Sequence, residues 1–117
     1  MNRNTELKDE KALLESYASN YITSDDSSQQ RLMRHLEVRV FKPYVDRGRA
    51  LELGCEIGFM SELLAPMVDE LDIVDASDLF LARTRARGIP NAKYFCSLFE
   101  EYSAERPYDS VIASHVL

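Results

Sequence analysis

The chain of 117 residues carries 20 acidic against 14 basic side chains, a formal net charge of −6, so it lacks the positive field that non-specific nucleic-acid binding needs. Its length suffices for one small domain with a core but not for two, and 45% hydrophobic with 29% charged residues suits a globular protein. No apolar run approaches membrane-spanning length and the first ten residues lack the apolar stretch of an export signal, so no membrane partner and a cytoplasmic location are expected.

Two helical segments come first. Leu7, Leu14, Tyr17 and Tyr21 share one face at i, i+7, i+10 and i+14, which predicts an amphipathic helix. The polar run from Thr23 to Ser28 breaks it, and Ser27 with Gln30 three residues on reads as a capping box for a second helix. Along that helix Leu32, Met33, Leu36, Val40 and Tyr44 repeat at helical spacing until Pro43 and Gly48 end the pattern.

From Arg49 the period changes. Ala50 to Leu53 reads as a buried strand, and Phe59 to Ala65 as a helix stopped by Pro66. Leu71 to Val74 is a second strand ending on Asp75. Ser77 then caps a helix through Arg87, with Gly88 at its C′ position and Pro90 just beyond. Arg83, Arg85 and Arg87 fall in the last turn of that helix, where cations complement the helix dipole. Ala92 to Cys96 is a third strand, Leu98 to Tyr102 a short turn or helix, and Asp109 to Ala113 a fourth strand.

Strands alternating with helices predict βαβ units and a parallel sheet, an α/β fold with two additional N-terminal helices. If the strands ending near Cys55 and Cys96 flank a central one, the two thiols lie roughly 9–10 Å apart and stay free, as in a reducing compartment. No His, Cys, Asp and Glu residues cluster at metal-ligand spacing, so no metal centre is expected. The fourth strand finishes at Ser114-His115-Val116-Leu117 with no covering helix. The expectation is a front half of a larger domain, truncated after the fourth strand, whose apolar edge favours self-association.

The stretch Leu51-Glu52-Leu53-Gly54-Cys55-Glu56-Ile57-Gly58 describes a strand, a tight turn and a helix start. At the carboxyl end of a strand in an open α/β sheet, such a turn lets side-chain-free backbone approach a ligand. Taken alone, two glycines four residues apart equally describe close packing. Asp75 strengthens the ligand reading. It ends the second strand 21 residues after Gly54, the spacing at which a carboxylate accepts hydrogen bonds from the vicinal hydroxyls of a ribose. A dinucleotide fingerprint fits less well, since Glu56 and Phe59 hold its third and sixth positions.

With Glu52 two residues before Gly54, the turn resembles the acid-x-Gly-x-Gly-x-Gly motif of class I S-adenosylmethionine (SAM) dependent methyltransferases. Glu56 stands where that family most often has its middle glycine, and its side chain can point to solvent there. The resemblance continues through Tyr94 to Tyr102 and Pro107 to Leu117, which look like the family's third-strand turn and fourth strand, in particular those of small-molecule and saccharide methyltransferases. It covers about Ala50 to Leu117. What it implies is a Rossmann-like sheet in the strand order 3-2-1-4 and methyl transfer from SAM to a small-molecule acceptor, with residues 49–117 as a SAM-binding half-domain. The helices of residues 1–48 look like the family's lid or cap.

By that resemblance Glu52 would orient the turn and the methionyl amino group, while Gly54, Cys55 and Gly58 would pass backbone under the cofactor. Asp75 would hold the ribose hydroxyls and Ala76 would pack on the adenine. Ser97 would meet the adenine edge by its side chain and Leu98 by its backbone N–H. Ser114 and His115 would border the methyl group, which makes His115 the candidate base should an acceptor lose a proton as it attacks. His35 sits among Arg31, Arg34 and Arg39, which read as an exposed helix face, although the arginines have the chemistry to reach a methionyl carboxylate. Tyr17 and Tyr21 fold over the cofactor or pack in the core. The rival reading is a non-catalytic α/β module that binds a nucleoside weakly or only a protein partner.

Overall fold

In a computed structural model, which describes residues 3–24 and 28–114 with side chains over 8–19 and 29–114, the chain lays down eight elements. They are α1 (Arg3–Ser24), α2 (Ser28–Phe41), β1 (Arg49–Leu53), α3 (Phe59–Leu64), β2 (Glu70–Asp75), α4 (Asp78–Arg85), β3 (Ala92–Cys96) and β4 (Ser110–Ala113). Short 3₁₀ turns at Lys42–Tyr44, Ala65–Met67 and Phe99–Glu101 follow α2, α3 and β3. Ser27 of the expected capping box and His115 lie outside the described residues, as do the side chains of Leu7 and Tyr21.

All four strands are parallel, in the order β3-β2-β1-β4. That is the Rossmann-like order expected, and it follows from right-handed crossovers that send the chain outward through β2 and β3 and back across to β4. Glu52 pairs with Ile73 on one side and Ile112 on the other, so it lies in the middle of the sheet. Local chemistry sets the element ends. Pro66 opens the 3₁₀ turn after α3, the Ser77 hydroxyl accepts from the Phe80 N–H, and Gly88 takes a left-handed φ of 69° after α4. Arg83 and Arg85 lie in the last turn of α4, and the Arg85 guanidinium covers the Tyr94 ring at 4.9 Å. The core centres on Leu71, Ile73, Leu64 and Phe80, between the sheet and its helices. Both cysteines are free thiols.

The N-terminal helices pack by faces other than the apolar ones. In α2, Leu32, Met33, Leu36 and Val40 are exposed, while Arg34, Glu37, Val38 and Phe41 turn inward. In α1, Ala18 is buried and Leu14 and Tyr17 are exposed, so core packing does not account for Tyr17. The reason is visible at Glu15. Its carboxylate accepts from the Ser77 hydroxyl at 2.7 Å and from the N–H groups of Asp78 and Leu79 at 2.9 and 3.2 Å. A carboxylate on the free donors of a helix N-terminus is favourable, and here it fixes which face of α1 looks inward.

A second polar cluster ties the segment before β4 to the amino-terminal end of the sheet. Arg49 donates to Asp72 at 2.8 Å and to the carbonyl of Arg106 at 2.7 Å, and its guanidinium covers the Tyr108 ring at 4.1 Å. Tyr108 also donates to Asp72, at 2.7 Å. Burial pushes the Tyr108 phenol well above its usual range.

Candidate functional site

The turn after β1 begins with Gly54 at φ 84°, whose N–H extends the sheet by bonding to the Val74 carbonyl at 2.8 Å. Residues 55–58 then form a turn closed by the Gly58 N–H on the Cys55 carbonyl at 2.8 Å. Glu56, at φ 52°, is a non-glycine residue in the left-handed region, which disfavours side chains by roughly 1–2 kcal/mol. Its position is held from above. Arg34 of α2 donates to Glu56 at 2.9 Å and to Glu37 at 3.0 Å, and Glu37 accepts from Ser114 at 2.9 Å. The Glu56 side chain therefore does not point to solvent, and Arg34, 8% exposed, is no part of an exposed helix face. His35 is exposed and sets its ring edge-on to Phe59 at 5.5 Å.

Gly58, at φ 89°, makes room for α4 and not for the cleft. A Cβ there would lie 2.7–2.8 Å from Thr84, including its backbone Cα. The close-packing reading thus holds at Gly58, while Gly54 lies where two cavities meet.

Asp75 joins the ends of β1 and β2. One carboxylate oxygen accepts from the Cys55 N–H and the other from the Ser77 N–H, each at 2.9 Å. Burial raises the Asp75 pKa above the usual carboxylate value, against these backbone donors, which lower it. A carboxylate has room for further donors on both oxygens, so stapling the turn and receiving a ligand hydroxyl are compatible.

Glu52 sits beneath the turn, 2% exposed, and accepts a short hydrogen bond from the buried Ser61 hydroxyl of α3. Burial pushes its carboxyl up to about 8, the Ser61 bond opposes this, and the nearby Asp75 and Glu56 charges add to it. Burial likewise pushes the Cys55 thiol far up, so Cys55 serves the site by its backbone and not as a nucleophile.

On one side of Gly54 opens a cleft of about 430 Å³, lined by Asp75, Ala76, Phe80 and Leu98 and roofed by Leu14 and Tyr17 of α1. Phe99 and Glu100 close its far edge. On the other side is a tight cavity of about 20 Å³ between α2 and the turn, lined by Arg34, Glu52, Cys55, Glu56, Met60 and Ser114. Of the sequence-derived site residues, Glu52, Gly54, Cys55, Asp75, Ala76, Leu98 and Ser114 therefore line one or other space. Ser97 is turned aside, its hydroxyl on the Leu98 carbonyl at 2.8 Å. Sequence reasoning missed Phe80, Phe99 and Glu100, and it missed Glu15 and Glu37, which carry no local motif.

The geometry has counterparts. Residues 6–117 match the family model described as Nodulation protein S (NodS). Nodulation protein S of Bradyrhizobium diazoefficiens is 30% identical over 91 residues, 76% of this chain and 43% of that protein. The chain thus spans less than half the length of that curated relative. The crystal structure of N-methyltransferase NodS from Bradyrhizobium japonicum WM9 in complex with S-adenosyl-L-homocysteine superposes with a TM-score of 0.65 at 21% identity, over 74% of this chain and 45% of that one. A DhpI-SAM-HEP complex superposes with a TM-score of 0.72 at 22% identity, over 94% of this chain and 51% of that one. Those likenesses establish the methyltransferase-type Rossmann fold, and the family match over nearly the whole sequence establishes descent: the chain belongs to the Nodulation protein S (NodS) family.

Proposed function

We propose that the chain is the cofactor-binding part of a SAM-dependent methyltransferase acting on a small-molecule acceptor, with the cofactor lying across Gly54. The observation that carries this reading is the meeting of two unlike spaces at that glycine. The larger has the apolar walls and terminal carboxylate that suit a nucleoside, and the smaller has the buried charged groups that suit an amino-acid tail. Asp75 receives the ribose hydroxyls, Ala76 and Leu98 enclose the base, and Glu52 faces the methionyl amino group. The Gly54 and Cys55 backbone passes beneath, with Gly58 supporting the turn from below through α4. Ser114 borders the reacting end, and we retain His115 as the base for an acceptor that must lose a proton.

SAM supplies a methyl group on a sulfonium, and the protein's task is alignment of acceptor, methyl and sulfur. The related NodS structure is of an N-methyltransferase, which makes an amine nitrogen the acceptor class we propose. In the same reading α1 and α2 form the cap over residues 49–114, and the free thiols of Cys55 and Cys96 fit a cytoplasmic setting. The edge position of β4, with Val111 exposed, favours self-association of this chain, which light scattering at rising concentration tests.

Calorimetry with SAM and S-adenosylhomocysteine tests the central reading. Micromolar binding of both is expected. A folded chain that binds neither is the outcome that defeats it.

A further inference from the structure

The two spaces that meet at Gly54 are unequal, and Glu56 lines both. The larger is open at about 430 Å³, whereas the smaller measures about 20 Å³, and room for one water molecule takes about 10–15 Å³. A short carbon chain ending in an ammonium and a carboxylate needs several times that room. What closes the smaller space is a strap of side chains. Arg34 donates to Glu56 at 2.9 Å and to Glu37 at 3.0 Å, and Glu37 accepts from the Ser114 hydroxyl at 2.9 Å. The strap runs from the turn after β1, through α2, to the end of β4.

The carboxyl-terminal half of α2 is seated by apolar packing, since Val38 and Phe41 lie against the core. Its amino-terminal half is held differently. Leu32 and Met33 are exposed there, Arg34 is in the strap, and Arg31 and His35 each lie 5.5 Å from the Phe59 ring. Charged and ring contacts of this kind part and re-form without disturbing the core, so this half can lift while the other stays seated. We propose that the Arg34–Glu56 ion pair is a latch that keeps α2 down over the smaller space, so that a nucleoside enters the larger cleft directly and an amino-acid tail enters only when the pair parts. The inference rests on the methyltransferase reading and deepens it, since it concerns how that site opens. Only lifted chains accept the tail, so the apparent affinity of a tailed ligand is reduced by the lifted fraction. The reduction lies in association, because a filled space keeps the latch from re-forming and leaves dissociation unaltered.

The test is stopped-flow binding to the 117-residue chain of S-adenosylhomocysteine and of 5′-methylthioadenosine, which lacks the amino-acid tail. Glu56→Ala removes the carboxylate and leaves a side chain at the left-handed φ, and Glu56→Gly removes carboxylate and strain together. On the unaltered chain S-adenosylhomocysteine should associate more slowly than methylthioadenosine. On either variant its association should be roughly tenfold faster with dissociation unchanged, and both rates of methylthioadenosine should stay as they were. An equal gain for methylthioadenosine, or S-adenosylhomocysteine rates that neither variant moves, overturns the inference alone. Faster dissociation of S-adenosylhomocysteine from the variants also overturns it, because Glu56 is then a contact of the ligand. A folded chain that binds neither compound overturns the methyltransferase reading and this inference with it.

Discussion

Arg34 of α2 and Glu56 of the turn after β1 meet at 2.9 Å across 22 residues of sequence, and the ion pair holds a side chain where the backbone favours glycine. The pair is partly buried, and each member has a role beyond the other: Arg34 also holds Glu37, and Glu56 also gives its carbonyl to Thr84.

Two opposing effects meet in Glu56→Gly. Glycine relieves the left-handed backbone, worth roughly 1–2 kcal/mol, but leaves a buried guanidinium with one carboxylate fewer. We expect a small net change in thermal midpoint and retained SAM binding. Arg34→Met alone should destabilise more, because Glu37 and Glu56 both lose the guanidinium they share. A double-mutant cycle should give a coupling on the order of 1–3 kcal/mol, and additivity of the two changes would show that the pair contributes nothing.

The pH dependence of stability has a definite sign at Glu52. Its carboxyl moves from 4.5 in the unfolded chain to about 8 in the folded one. Between those values the folded chain holds a proton that the unfolded chain has released, so the Glu52 contribution falls as pH rises through the window and levels off above it. Glu52→Gln keeps the size and the Ser61 acceptor and removes the titration. Its thermal midpoint should change less between pH 5 and 8.5 than that of the unaltered chain, and parallel curves would refute the assignment.

Removing Asp75 should harm both folding and binding. Asp75→Ala leaves the Cys55 and Ser77 N–H groups without their acceptor, at about 1–3 kcal/mol each. Position at a strand end alone suggests that folding is spared, and these two bonds show otherwise. Asp75→Asn keeps one oxygen and should fall less far. If the ribose reading holds, SAM affinity in the folded Asn variant drops roughly tenfold to a hundredfold. Unchanged affinity in a folded variant would leave Asp75 a purely structural staple.

Gly58→Ala should be costly for reasons of packing. The added methyl meets the Thr84 backbone at 2.8 Å at a φ that disfavours it, which together amount to roughly 2–4 kcal/mol. Thr84→Ala in the same chain should fail to rescue stability, since the clash includes the Thr84 Cα. Full rescue would mean that only the hydroxyl and methyl of Thr84 are in the way.

The sheet was legible because its signals are local: apolar runs bounded by Gly, Pro and Ser place each strand within a residue or so of its observed ends. The acid-rich turn and Asp75 were legible by spacing. Burial of α2 was not. Helical period shows which residues share a face, and two faces compete here, Leu32/Leu36/Val40 and Arg34/Val38/Phe41. The eye takes the first as the core face, but Arg34 finds two carboxylates only when the second is turned inward. No local pattern announces a partner 22 residues away, still less Glu15, whose contact at Ser77 spans 62.

The Glu15 contact has a consequence for how α1 moves. One carboxylate is at once the end-piece of α4 and the fastener of the segment over the larger cleft. Swinging α1 outward therefore uncaps a helix beneath it, and the departing segment must leave backbone donors to water. Access to the cleft and integrity of α4 are mechanically one coordinate, so the opening rate should respond to the salt content of the medium as a charged clasp does, and little to the bulk of the apolar residues beside it.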